Sequence, residues 1–274
     1  QYYSTAVGML AGAYSTGSHN TFIGNEAGQG SSGAPYSSGQ YNTALGSEAL
    51  KGFTTSNYNV AIGYQAMQGA LTGGTNVAIG FSSLKAATSG YTNVAIGGGS
   101  LQSLTTGFDN VAIGRSAGAN IVDVDETVLI GRSAGVAINS SDADGTVAVG
   151  YRAGFVLTSG KYNTAIGYQA LYTEDTGGGN TAIGYQALKF NNKDSADAGN
   201  TAIGYQAASN MTANHRNTII GYQAASGSAG GVNNNVIIGW KAGTSINSND
   251  ATNNVIIGKE AGTGGVGTLA SAVI

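Results

Sequence analysis

Two short acidic runs are the first places where this sequence could do chemistry. "VDVDET" at 122–127 carries Asp123 and Asp125, and "SSDADGT" at 140–146 carries Asp142 and Asp144 just ahead of Gly145. Alternating Asp followed by Gly is how calcium loops gather oxygen ligands. Calcium is therefore the one cofactor to consider, against the plainer reading of solvated polar loops. A second pattern is a row of large rings at Tyr151, Tyr168, Tyr185, Tyr205, Tyr222 and Trp240, four of them followed by Gln169, Gln186, Gln206 and Gln223. Such rings stack on sugars or anchor interfaces, or they stack on one another and cover a thin core. Phe190 and Tyr36 stand out in otherwise polar loops and are candidate contact residues. His19 and His215 have no second ligand at metal spacing, and no nucleophile–base or acid pair can be drawn. The Gly-x-Gly strings lack the strand–helix context of a phosphate cradle. No enzyme is expected.

The element that must position these residues is a repeat. The glycine that ends the run Thr/Val-Ala-Ile recurs from Gly8 to Gly258 in fifteen copies, on a base period of 17 residues. A fixed period of this kind marks stacked units that cannot bury their apolar side chains alone. Just before the glycine stands Ile in twelve copies; three before it stands Thr or Val; four before it, Asn in twelve copies. β-branched residues favour extended backbone, and side chains two apart share one side of a strand. Each copy is thus a short strand, a bend at the glycine, a second short stretch and a loop. The expected fold is all-β: one parallel β-solenoid over residues 1–274, with about fifteen coils.

Two columns carry expectations about packing. The aliphatic row (Ile62, Ile79, Ile96, Ile113, Ile130, Ile166, Ile183, Ile203, Ile220, Ile238 and Ile257) reads as the deepest core. The Ala and Gly row on the opposite side of the strand reads either as a packing surface for neighbouring chains or as the filling of a flattened interior. The Asn column predicts amide hydrogen bonds running coil to coil, as in cross-β ladders.

Composition excludes several classes. With 46 glycines not spaced in threes the chain is not collagen-like. With 41% hydrophobic residues and a net charge of −3, it is not of the disordered class. Its 11 scattered Lys and Arg argue against nucleic acid, and no apolar run is long enough to insert in a membrane. There is no cysteine, so disulfides and thiolate chemistry are out.

The words "NTAIGYQA" (163–170), "NVAIGYQA" (59–66) and "NVAIGRSA" (110–117) resemble the head repeats of YadA-like trimeric autotransporter adhesins and the repeat tracts of phage tail fibres. The resemblance implies a parallel β-roll, a homotrimer, an extracellular, cell-surface or virion location, and binding to a cell-surface glycan or protein receptor. It also implies that Ile62, Ile79, Ile96, Ile113, Ile166, Ile183 and Ile203 line the roll. The functional expectation is a non-catalytic adhesive fibre segment. Two alternatives stand beside it: a filament subunit docking end to end through the apolar stretch 265–274, and an ice-binding solenoid presenting its Thr/Val row.

Overall fold

The computed structural model describes residues 3–33, 35–174, 176–190, 198–212, 214–228, 232–246 and 251–263. The apolar stretch 265–274 and most of the insertion at 189–199 lie outside the described residues. The chain is a parallel β-solenoid of about fourteen turns with a 17-residue period.

Every copy of the repeat forms one three-residue strand. The first eight are β1 (Thr5–Val7), β2 (Thr21–Ile23), β3 (Thr43–Leu45), β4 (Val60–Ile62), β5 (Val77–Ile79), β6 (Val94–Ile96), β7 (Val111–Ile113) and β8 (Val128–Ile130). The rest are β9 (Val147–Val149), β10 (Thr164–Ile166), β11 (Thr181–Ile183), β12 (Thr201–Ile203), β13 (Thr218–Ile220), β14 (Val236–Ile238) and β15 (Val255–Ile257). The coils fall into two compact units, Gln1–Ser133 with Asn139–Ser141, and Ala134–Ile138 with Asp142–Ile274. In the first unit β1 to β8 pair in chain order, all parallel. In the second, β9 to β15 do the same. Register is unshifted, so equivalent residues stack: Val60 on Val77, Ala61 on Ala78, Ile62 on Ile79.

The strands face the opposite way from the expectation drawn on the aliphatic row. Their central residues point inward, and Ala61, Ala78, Ala95, Ala112, Ala148, Ala182 and Ala202 are all fully buried. The flanking residues point outward. Ile62, Ile79, Ile96, Ile183, Ile203, Ile220 and Ile238 are only half-buried. Ile113, Ile130, Ile166 and Ile257 are 36 to 49% exposed. The reason is bulk supplied from elsewhere in the coil. Four residues after the anchor glycine stand Leu50, Met67, Leu84, Leu101, Leu171 and Leu188, and three later still stand Phe53, Leu104, Ile121, Ile138 and Leu157, all buried. These side chains fill the interior, so the strand can contribute only its small central residue. Of the two readings of the Ala and Gly row, interior filling is the one observed.

The anchor glycine is required twice over. Gly80 has φ +133°, and a Cβ on it would lie 2.7 Å from a backbone atom of Gly97 on the next coil. Positive φ and close backbone approach are the two situations that only glycine meets at low cost. A tight turn follows, in which the Ala66 N–H donates to the Gly63 carbonyl at 3.3 Å. Gln65 sits at its third position with φ +57°, the conformation a type II turn demands there.

The Asn column forms the expected ladder. Nδ2 of Asn76, Asn93 and Asn110 each donates to Oδ1 of the preceding Asn, at 3.2, 3.1 and 3.0 Å. In the second unit Asn217, Asn235 and Asn254 repeat the pattern at 3.1, 3.2 and 3.0 Å. Backbone N–H groups of the same residues donate to the same oxygens. The remaining amide proton reaches a loop carbonyl, as from Asn93 to Gly107 at 2.8 Å. These groups are buried and satisfied, which removes the desolvation cost of placing amides in the interior.

Candidate functional site

Because register is unshifted, every outward column of the repeat becomes a row of like side chains. The row just after the anchor glycine brings the sequence-predicted rings together in the second unit. Tyr151, Tyr168, Tyr185, Tyr205 and Tyr222 stack face to face with centroids 5.0 to 5.2 Å apart, and Trp240 follows Tyr222 at 6.3 Å. Between Tyr168 and Tyr222 the rings are within 11° of parallel. Each internal ring therefore has a neighbour on both faces, at a spacing too small to admit a sugar between them. Tyr168, Tyr185, Tyr205 and Tyr222 are 40 to 44% exposed. The far end is occupied as well: Nζ of Lys241 and Lys259 lie 4.6 and 5.3 Å from the Trp240 ring centroid. This arrangement favours the mutual-stacking reading of the row over the sugar-stacking one, with cation–π contact closing the end.

Beside the rings runs a row of glutamines. Nε2 of Gln186 donates to Oε1 of Gln169 at 2.9 Å, Gln206 to Gln186 at 3.1 Å, and Gln223 to Gln206 at 2.9 Å. A shallow groove follows this row, lined by Gln186, Gln206, Gln223 and Ser209, and Phe190 borders it. Phe190 is exposed and carries the Lys189 ammonium 4.7 Å above its ring. Tyr36 stacks on Tyr14 at 6.1 Å, so it too belongs to an intramolecular pair.

The acidic runs have local partners. Asp125 Oδ1 accepts the Phe108 N–H at 2.9 Å, tying one coil's loop to the next. Asp142 pairs with Lys161 at 3.3 Å, and the Asp144 carbonyl accepts the Tyr162 N–H at 3.2 Å. Asp123 lies in an exposed loop. Among the described residues no group of three or more His, Cys, Asp or Glu is placed to hold a metal.

Another outward row escaped the reading of the sequence. Five residues before the anchor glycine, Tyr3, His19, Tyr41 and Tyr58 stack with centroids 5.1, 4.8 and 5.0 Å apart. All four adopt positive φ, between 56° and 60°. His19 is thus a loop residue that stacks inside a tyrosine column. The signal was present, since aromatic residues recur five before Gly8, Gly24, Gly46 and Gly63. His215 sits in a loop, where its N–H donates to Asn233 Oδ1 at 3.0 Å.

The strand face itself is a further outward feature. In each unit it presents two parallel ranks, Thr/Val and Ile, with no charged residue in any strand. Searches against protein-family models, curated proteins and solved structures find no match to this chain.

Proposed function

We propose that this chain is a non-catalytic segment of a self-associating fibre on a cell surface or virion, an adhesin or tail-fibre module that attaches to a receptor. The observation that carries the reading is the outward strand face. Uncharged ranks of Thr/Val and Ile run along each unit, and several Ile residues are more than a third exposed. A continuous apolar face of that kind marks an interaction surface. A further copy of the same chain is the partner whose own ranks repeat at the same interval, so each Ile can meet an equivalent one. Homotrimerisation through this face is the assembly proposed; the Ala and Gly row is interior and takes no part.

The test is solution mass by multi-angle light scattering against the 27.2 kDa chain. A mass near three chains supports the proposal, and a monomer at micromolar concentration removes it. A second reading draws on the same face. Thr164, Thr181, Thr201 and Thr218 stand in one rank on consecutive coils, beside Ile166, Ile183, Ile203 and Ile220. An ice-binding solenoid needs such a flat, evenly spaced surface. Thermal hysteresis in a monomeric sample would support that alternative, and its absence would remove it.

A further inference from the structure

The stacked column five residues before the anchor glycine is interrupted in the second unit. Tyr162 occupies that column, but its counterparts one coil away on either side are Gly145 and Gly179. Neither supplies a ring, and Tyr162 is 70% exposed, against 46% for Tyr41, which has a ring on each face. The two glycines are not equivalent. A Cβ on Gly145 would lie 2.9 Å from Cδ1 of Tyr162, so the ring rests over Gly145. A Cβ on Gly179 would meet only the Gly199 backbone, at 3.8 Å, so that side is open.

An open pocket of about 570 Å³ occupies this gap. Tyr162 forms one wall, the Gly178–Gly179 backbone another, and Ser159, Thr176 and the Lys161–Asp142 pair supply polar groups. The volume and the small set of polar groups are those of a site for a small ligand. The glycine wall is held from behind. In the core column that holds Leu104, Ile121 and Leu157 in other coils, this coil has Glu174, fully buried. Its Oε1 accepts the Gly177 N–H at 2.8 Å, and Asn163 Nδ2 donates to the Gly177 carbonyl at 2.8 Å. Replacing an aliphatic by a buried carboxylate is costly unless it is hydrogen-bonded. Here the bond goes to the turn that shapes the pocket.

We infer that this pocket binds a neutral pyranose sugar. Tyr162 offers what the long ring stack does not, a ring face without another ring on it, and the C–H face of a pyranose is the surface that packs on one. The Asp142 carboxylate accepts and the Lys161 ammonium donates, a pairing that suits two adjacent hydroxyls. The pair is electrically balanced, which favours an uncharged sugar over a uronic or sialic acid. Gly178 and Gly179 leave room for the ligand to approach the backbone. The inference rests on the attachment reading above and locates its receptor contact.

The test is saturation-transfer NMR of the full chain with the methyl glycosides of glucose, galactose, mannose and N-acetylglucosamine, followed by titration. Gly179→Tyr is the decisive variant. Gly179 has φ +71°, and Tyr3, Tyr41 and Tyr58 hold tyrosine in the same column at φ 56–59°, so the new ring is accommodated and stacks on Tyr162. We expect transfer to at least one glycoside, weakened about tenfold or more by Gly179→Tyr and by Tyr162→Ala. Tyr41→Ala, at a position with a ring on each face, leaves it unchanged. The inference is overturned if none of the four glycosides binds, or if a natively folded Gly179→Tyr chain binds as well as the parent. A trimer by light scattering that binds none of them loses the pocket and keeps the fibre; a monomer that binds through Tyr162 does the reverse.

Discussion

Phe22 and Gly28 face each other across the interior of one coil, so closely that a methyl group on Gly28 would lie 2.3 Å from the Phe22 ring. The same two columns trade size in other coils. Ala44 goes with Leu50, Ala61 with Met67 and Ala95 with Leu101, whereas Ile237 goes with Gly243 and Ile256 with Gly262. In these coils the interior is filled from the strand side or from the turn side, whereas Ala112 with Gly118 and Ala148 with Gly154 are small in both columns. Close-packed interiors tolerate swaps that conserve volume and resist those that do not.

Ala95→Ile alone should overpack its coil and destabilise the chain by about 1–3 kcal/mol. Leu101→Ala alone should cost about 2–5 kcal/mol as a cavity. Combined, they should recover much of the loss, because the new side chain fills the space vacated. Urea denaturation of the two single variants and the double variant gives the coupling energy directly. Strict additivity would show that the two columns do not share one space.

Gly97→Ala should destabilise by about 2–3 kcal/mol, since Gly97 combines a forbidden conformation with backbone contact. Its φ is +125°, and the added Cβ would lie 2.7 Å from the Gly114 carbonyl group. Gly98→Ala is the control one residue on, where the nearest atom would be 3.9 Å away. It should change stability by less than about 0.5 kcal/mol. Equal melting temperatures for the two variants would contradict the close coil-to-coil approach.

Asn93→Ala removes an acceptor used by the Asn110 N–H and Nδ2, and two donations of its own to Asn76 Oδ1 and the Gly107 carbonyl. Orphaned buried groups are costly, so the loss should be about 3 kcal/mol. Asn93→Thr should cost less. Thr127 shows why: its hydroxyl donates to Asn110 Oδ1 at 2.6 Å within the same ladder. Chemical unfolding of both variants checks the order, and an Ala variant as stable as Thr would argue against the ladder's contribution.

Ile113→Lys separates core from surface. Ile113 is 37% exposed, so the variant should keep its circular dichroism and lose less than about 0.5 kcal/mol as a single chain. If the strand face joins copies, the same variant should shift the light-scattering mass toward one chain. Unfolding on this substitution would return the aliphatic row to the core.

Much of this molecule is legible in its sequence. Near-identical words such as "NTAIGYQA" impose equal environments, so the period, the parallel stacking and the Asn ladder follow from counting residues alone. The stack of Tyr151 to Tyr222 follows too, because an outward column repeated at constant register has nowhere else to put its rings. What the words do not contain is which side of a strand is inside. Alternation says that Ala95 and Ile96 point in opposite directions. It does not say that Leu101 and Leu104, further along the same coil, already fill the space that Ile96 would need. Spacing places Gly145 and Gly179 one period either side of Tyr162, but it does not say that the ring rests over Gly145 and leaves its other face open. Local pattern sets the repeat; the closing of each coil on its neighbours sets what is buried and what is left for a partner.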